Sequence, residues 1–191
     1  FQDAWFYLND FFKYALGVTK IKLDWIVSNT PWLEELANND GFKQKDIQFV
    51  SENSIAFLVQ ELRGKETDHM VIISPYYDKS GKTIELLHQQ LKPGKVDIIV
   101  EEHSPLLPID IFESSKFSFH FWGNVIDSFD GDINRLHAKI LYFSTSDSEY
   151  MLIGSANATY AAMGDLENKN SNIEAGLFLS RPKQSNNWLK E

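Results

Sequence analysis

Two residues whose side chains are suited to catalysis, His137 and Lys139, stand two apart in the segment 136–143. This segment is rich in apolar residues, and we predict that it forms a β-strand. In a strand, residues i and i+2 project from the same face, so the imidazole and the ammonium should lie side by side. Such a pair offers a nucleophile or general base next to a fixed positive charge.

A second group of polar residues follows the next apolar run. Residues 150–153 are predicted to form a strand, and the tetrapeptide Gly-Ser-Ala-Asn at 154–157 follows it, before a helix-like stretch at 158–163. The small residues allow the backbone to come close to a ligand. Amides at a helix start, the Ser155 hydroxyl, the Asn157 amide and the lysine together suit a phosphate. The pattern therefore indicates phosphoryl-transfer chemistry.

The elements that must position these residues alternate between strand and helix. Apolar runs at 70–74 and 96–100 are predicted strands, and an amphipathic helix is predicted between them at 83–91. A strand–helix–strand unit of this spacing is a crossover with parallel strands. We predict an α/β fold with a mixed β-sheet flanked by helices on both faces.

The front of the chain has a different character. Residues 1–45 are predicted to be a helical segment that acts as a linker or an interface element, with a short strand at 21–27 inside it. Residues 46–191 are predicted to form the domain that carries the motifs.

Three short motifs follow one another along the chain: His137-x-Lys139, Gly154-Ser155-x-Asn157 and Asn172-x-Glu174. Together they resemble the HxK…GSxN signature of the phospholipase D superfamily. The resemblance covers about residues 50–180 and is closest to bacterial nuclease-like and restriction-associated members.

The chain departs from the family pattern at one position. Where the family places an aspartate five residues after the lysine, this chain has Ser144, and Asp147 lies three residues later. We interpret this as a turn three residues longer, with Asp147 at the end of the hairpin. The family's aspartate is usually thought structural, so the chemistry is not affected.

The resemblance implies a phosphodiesterase that uses neither a metal ion nor a cofactor. His137 would attack phosphorus to form a phosphohistidine, and a second histidine would protonate the leaving oxygen. Lys139 and Asn157 would hold the non-bridging oxygens, and the Ser155 hydroxyl would bond the phosphate or orient its neighbours. Glu174 would hold an imidazole in the required tautomer.

The second histidine is not supplied by a second motif in this chain. His69, His88, His103 and His120 have neither a lysine two residues on nor a downstream GSxN. The resemblance therefore implies that the second phospholipase D-like half comes from homodimerisation or from a longer chain. Nucleic acid is the expected substrate.

Composition limits the alternatives. The net charge of −9 argues against tight, non-specific binding of DNA. The absence of cysteine excludes disulfides, thiolate nucleophiles and cysteine-based zinc sites, and we predict a cytoplasmic protein. No apolar run reaches the roughly 18 residues of a membrane span.

Each candidate residue also has a structural interpretation. His137 could be a satisfied strand histidine, Lys139 a guard of a sheet edge, and Glu174 a surface carboxylate. Ser155 and Asn157 could cap the helix that follows. At the level of function, the alternatives are a lipid phosphodiesterase and a non-catalytic module that binds phosphate or DNA or dimerises.

Three further residues are predicted to be structural. Tyr76 and Tyr77 could line a pocket, but packing is the favoured interpretation for both. His120 lies on a predicted core strand and is also assigned to packing.

Overall fold

The structure is a computed structural model that describes residues 2–12, 14–37, 46–51, 53–101, 107, 112, 115–125, 136–167, 172–184 and 186–189. The chain divides into two compact units, Phe1–Phe49 and Val50–Glu191. The helices are α1 Gln2–Phe12, α2 Gly17–Asn29, α3 Trp32–Ala37, α4 Ser54–Glu61, α5 Lys82–Leu91, α6 Trp122–Val125 and α7 Tyr160–Met163. The strands are β1 Ile47–Ser51, β2 His69–Ile73, β3 Lys95–Val100, β4 Phe117–Phe121, β5 Ile140–Ser144, β6 Ser148–Gly154 and β7 Ala175–Pro182.

The first unit corrects one prediction. The strand predicted at 21–27 is wrong, because these residues lie within α2. No helix-breaking residue stands between Gly17, where α2 begins, and Pro31, just after it ends. Lys20 Nζ also lies 2.9 Å from Asp24 Oδ1, one helical turn away, and such a pair supports a helix.

The sheet is mixed, as the sequence predicts. Its strand order is β1-β7-β6-β5-β2-β3-β4. Parallel pairing joins β2 to β3 and β3 to β4, whereas the β2–β5, β5–β6 and β6–β7 pairs are antiparallel. The predicted crossover is confirmed, because α5 connects the parallel strands β2 and β3. The α/β class is therefore confirmed.

Both faces of the sheet are packed, but unequally. Met70 and Ile72 of β2 point to the face that carries the larger apolar cluster, which includes buried residues of α4, α5 and α7. Val71 and Ile73 point to the other face, where Trp122 of the one-turn helix α6 and Trp188 pack. This alternation along β2 is what a strand buried on both faces requires.

Candidate active site

His137 and Lys139 lie next to each other just before β5. Lys139 Nζ is 3.3 Å from His137 Nε2 and donates a hydrogen bond to the carbonyl oxygen of His137 at 3.0 Å. The strand begins at Ile140, later than predicted, yet the two side chains still meet. Because an ammonium can only donate, Nε2 is the acceptor in this contact. The exposed His137 thus presents a ring nitrogen with a lone pair.

Strand pairing brings the glycine of the second motif opposite the lysine of the first. Ile140 pairs with Ile153, and the N–H of Gly154 donates to the carbonyl oxygen of Lys139 at 3.3 Å. The lysine also borders a small cavity whose other lining residues are Ser54, Leu141, Leu152, Gly154, Ala156, Ala175 and Gly176. The antiparallel ladder therefore places Lys139 beside the exit of β6.

The end of β6 packs directly against β7 through two glycines. Gly154 pairs with Gly176, and a Cβ at Gly154 would lie 2.5 Å from the carbonyl oxygen of Ala175 and 2.8 Å from Gly176 Cα. Both neighbouring atoms belong to the backbone and cannot rotate away. Glycine is required here because any side chain would force the two strands apart.

Ser155 and Glu174 are joined across the same two strands. The Ser155 hydroxyl donates to Glu174 Oε2, and the N–H of Ala175 donates to Ser155 Oγ at 3.0 Å. The N–H of Ser155 in turn donates to the carbonyl oxygen of Ala175 at 2.9 Å. Ser155 is exposed and Glu174 half-buried, so their bond lies at the surface.

Asn157 is held by its backbone. Its carbonyl oxygen accepts from the N–H of Thr159 at 2.7 Å. Its side-chain Oδ1 is buried and has no hydrogen-bond partner among the described residues. A buried acceptor of this kind costs free energy unless a ligand or water satisfies it.

The capping interpretation is wrong for both residues of the second motif. Helix α7 begins at Tyr160, and its N-cap is Thr159, whose side chain accepts from the N–H of Ala162. Ser155 and Asn157 precede the cap. The helix is also shorter than the predicted 158–163, with four residues.

The loop between β2 and α5 forms hydrogen bonds with the segment that follows Asn157. The sequence analysis did not predict this role. Ser74 Oγ accepts from the N–H of Ala158 at 3.0 Å, and Asp78 Oδ1 accepts from the N–H of Tyr160 at 2.8 Å. A parallel bridge also links Tyr77 to Ala158. The signal available in the sequence was a serine and an aspartate at a strand exit, which is common in loops.

Asp147 lies in the turn between β5 and β6. Thr145 Oγ1 donates to Asp147 Oδ1 at 2.9 Å, and hydrogen bonds from Thr145 and Ser148 hold the pKa of Asp147 below its ordinary value. The N–H of Lys183 donates to its carbonyl oxygen at 2.7 Å. These contacts give Asp147 a turn-forming position.

Asp97 and three basic side chains form a polar cluster that was not predicted. It lies on the face of the sheet to which Val71 and Ile73 point. His69 Nε2 lies 2.6 Å from Asp97 Oδ2, His120 Nε2 lies 2.8 Å from Oδ1, and Lys95 Nζ lies 2.7 Å from Oδ2. Burial raises the pKa of Asp97, but hydrogen bonds from Lys95, His120 and His69 outweigh it and lower that pKa. His120 is thus a partner of Asp97, with 44% of its side chain exposed, and not the core residue that was predicted.

Four of the five predicted site residues therefore form two contacting pairs, His137 with Lys139 and Ser155 with Glu174. Within the described ranges, no group of His, Cys, Asp and Glu side chains has the arrangement of a metal site. In the same part of the chain, no helix combines the length and apolar character needed to cross a membrane.

Comparison with known proteins finds solved structures that are similar to part of this chain. No protein-family model and no curated protein matches the chain. Among solved structures, the phospholipase D family member Nuc from Salmonella typhimurium has a TM-score of 0.43 and 14% identity, over 70% of this chain and 81% of that one. NucT from Helicobacter pylori has a TM-score of 0.45 and 11% identity, over 69% of this chain and 84% of that one.

A third similar structure is much longer. Yeast tyrosyl-DNA phosphodiesterase has a TM-score of 0.42 and 11% identity, over 69% of this chain but only 32% of the yeast protein. The matched region therefore spans about a third of that enzyme. Since function resides in sites and not in folds, the activity of this chain has to be argued from its own residues.

Proposed function

We propose that the chain is a metal-independent phosphodiesterase, a nuclease or nuclease-like defence domain, that acts through a phosphohistidine at His137. The observation that supports this most directly is the 3.3 Å separation between Lys139 Nζ and His137 Nε2. It brings a nucleophilic lone pair and a positive charge to one point, where a phosphodiester could bind. The motif resemblance supports the same chemistry.

In the proposed first step, His137 Nε2 attacks phosphorus. A bond forms between Nε2 and phosphorus, and the bond from phosphorus to the leaving oxygen breaks. A second histidine gives its proton to that oxygen. Water then attacks the phosphohistidine, the second histidine takes a proton from that water, and the bond between phosphorus and His137 Nε2 breaks, so the difficult displacement is divided into two easier ones.

The other residues would stabilise charge and hold geometry. Lys139 would shift from His137 Nε2 to a non-bridging oxygen of the phosphate, and the Asn157 amide would bind another. Glu174 would act through Ser155, because its carboxylate accepts a hydrogen bond from the hydroxyl of that residue.

The second histidine would come from a second copy of the motif. We propose that it is supplied by homodimerisation or by another part of a longer protein. Residues 1–45 would then serve as the linker or interface element, followed by the phospholipase D-like domain at 46–191. The proposed substrate is nucleic acid and the proposed compartment is the cytoplasm.

The test is cleavage of bis(p-nitrophenyl) phosphate and of a labelled oligonucleotide in excess EDTA. We expect turnover that survives the chelator and disappears in His137→Ala. His120→Ala, a histidine on the opposite sheet face, is the matched control and should keep turnover. A covalent phosphoryl adduct that forms on the native chain, survives denaturation and base, and does not form on His137→Ala would identify the intermediate.

The same assays separate the alternatives. Binding of the oligonucleotide without turnover would favour the non-catalytic module. Hydrolysis of phosphatidylcholine vesicles faster than of the oligonucleotide would favour the lipid phosphodiesterase. Equal activity in the parent and in His137→Ala would contradict the proposed mechanism.

A further inference from the structure

The loop between β2 and α5 presents one aromatic ring to solvent on a rigid backbone. Tyr76 is 49% exposed, although the next residue, Tyr77, is only 3% exposed. Ser74 Oγ donates to the carbonyl oxygen of Tyr76 at 2.8 Å and lies 3.4 Å from its N–H. The Tyr77 hydroxyl donates to the carbonyl oxygen of Ile99 at 2.6 Å. The backbone on both sides of Tyr76 is therefore fixed while its ring stays exposed.

This loop adjoins the segment that follows Asn157. Ser74 accepts from the N–H of Ala158, and Asp78 accepts from the N–H of Tyr160. The residues on either side of Tyr76 are thus hydrogen-bonded to the chain one and three residues beyond the proposed phosphate ligand. A strand of nucleic acid leaving that phosphate would have the loop as a close neighbour.

Two exposed lysines follow Tyr76 in the sequence. Lys79 and Lys82 are exposed, and Lys82 Nζ lies 3.6 Å from the centroid of the Tyr160 ring. Asp78 lies between Tyr76 and the two lysines in the sequence. Its two carboxylate oxygens accept hydrogen bonds from the N–H groups of Tyr160 and Thr83. A chain of net charge −9 therefore carries a local combination of aromatic and positive groups here.

We propose that Tyr76, Lys79 and Lys82 form a subsite for a nucleotide of single-stranded nucleic acid next to the scissile phosphate. The base would stack on Tyr76, and the lysines would bind the adjoining phosphate. Aromatic platforms with nearby cations bind single strands in this way, largely without regard to sequence. Bases of an intact duplex are already stacked, so the subsite selects for unpaired nucleotides. The position next to the scissile phosphate rests on the proposed function, whereas binding of the strand does not.

The test measures binding in the full chain with His137→Ala as the parent, so that no cleavage intervenes. The probe is a single-stranded oligonucleotide that contains 2-aminopurine, with an abasic oligonucleotide of equal length for comparison. Tyr76→Leu should weaken binding of the base-containing strand by roughly 5- to 150-fold, the range expected for loss of one stacked base. Tyr76→Phe should bind within about twofold of the parent, because the ring remains.

Three controls sharpen the result. The abasic strand should bind equally to the parent and to Tyr76→Leu, and a duplex should bind more weakly than the single strand. Lys82→Ala should reduce the slope of log Kd against log salt concentration by about 1, the value expected for the loss of one phosphate contact.

Equal affinity of the parent and Tyr76→Leu for the base-containing strand would overturn the inference, as would an equal loss with the abasic strand. The proposed function can fail separately. In that case the native chain, with His137 intact, would cleave nothing, while Tyr76→Leu would still weaken binding of the single strand. Conversely, the native chain could show cleavage that depends on His137 while Tyr76→Leu binds the single strand normally. That result would overturn only the subsite.

Discussion

The Ser155 hydroxyl donates a hydrogen bond to the Glu174 carboxylate and so connects the exit of β6 with the residue just before β7. The family resemblance implies that Glu174 holds an imidazole and that Ser155 bonds the phosphate or orients its neighbours. In the structure, the contact with Ser155 makes the carboxylate a partner of the hydroxyl. Glu174 can therefore fix the direction in which Ser155 presents its oxygen.

Removal of the Glu174 carboxylate should slow turnover more than it weakens binding. A hydrogen bond to a charged group is worth about 1.5–3 kcal/mol, so Glu174→Ala should lower kcat by roughly 10- to 150-fold. Glu174→Gln keeps an acceptor oxygen and should lose less. The measurement is kcat and KM on an oligonucleotide, and a change confined to KM would contradict the positioning role.

Lys139 should not be replaceable by arginine. Loss of a preorganised donor to the transition state typically costs about 10²–10³ in kcat, and we expect that range for Lys139→Ala. Lys139→Arg should remain impaired, because a planar guanidinium does not reproduce a compact ammonium 3.3 Å from His137 Nε2. Lys65→Ala, an exposed lysine of the second unit, is the control and should retain full activity. Wild-type kcat in Lys139→Ala would rule out the proposed charge stabilisation.

Alanine at position 154 should destabilise the fold. The added Cβ would stand 2.5 Å from the carbonyl oxygen of Ala175, so the strands must separate, at a cost of about 1–3 kcal/mol. Urea denaturation followed by circular dichroism measures this. Gly123→Ala is the matched control, because a Cβ there would meet no atom of the described residues within 4 Å, and its stability should be unchanged or slightly higher. Equal midpoints for the two variants would show that the glycine contact is not tight.

Asp97 should contribute stability that depends on pH. Its pKa in the folded protein is below the ordinary value of 3.8, so the ionised carboxylate stabilises the fold above that value. This contribution is lost as the pH falls through the lowered pKa. Asp97→Asn should therefore cost about 1–3 kcal/mol at pH 7, and the difference from the parent should narrow below about pH 4.

Urea denaturation at pH 7, 5 and 3 measures the effect of Asp97→Asn. Asp24→Asn, at an exposed ion pair, serves as the control and should change stability little at any of these pH values. A difference between parent and Asp97→Asn that stays constant or widens toward pH 3 would contradict the assignment.

Ser74 should affect catalysis through Asn157 without touching the substrate. Ser74→Ala leaves the N–H of Ala158 without its acceptor, and the following chain should lose its fixed position. We expect kcat to fall at temperatures well below the unfolding midpoint, and KM to rise as well, because Ser74 also bonds the backbone of Tyr76. Ser146→Ala, an exposed serine in the turn between β5 and β6, should leave both parameters unchanged. A lower unfolding midpoint with normal kcat would mean that Ser74 is only structural.

Much of the second unit follows from local patterns in the sequence. Short apolar runs at β2 and β3, separated by an amphipathic helix, determine a parallel crossover with little ambiguity. The same kind of pattern gave a wrong prediction for α2, because its β-branched and apolar residues fit both a strand and a helix. The absence of a helix breaker between Gly17 and Pro31 was the better signal.

The site was predictable only where it depends on short spacing. The contact of His137 with Lys139 follows from two residues on one face of an extended chain. The bond between Ser155 and Glu174 depends on the register that pairs Gly154 with Gly176, and no local pattern specifies a register between strands. The Asp97 cluster was missed for the same reason, although an aspartate within the apolar run of β3 was a sign that it had partners.

The strand order also has a consequence for how the chain is made. β2 lies between β3 and β5, yet β5 is synthesised about 70 residues after β2. At roughly 5–20 residues per second, one edge of β2 waits about 3 to 14 seconds on the ribosome for its partner. That edge belongs to a strand whose residues Met70, Val71 and Ile72 are buried in the finished protein. The nascent chain therefore passes through a stage in which an apolar strand can pair with a neighbouring polypeptide, and chaperone binding during that interval would protect it.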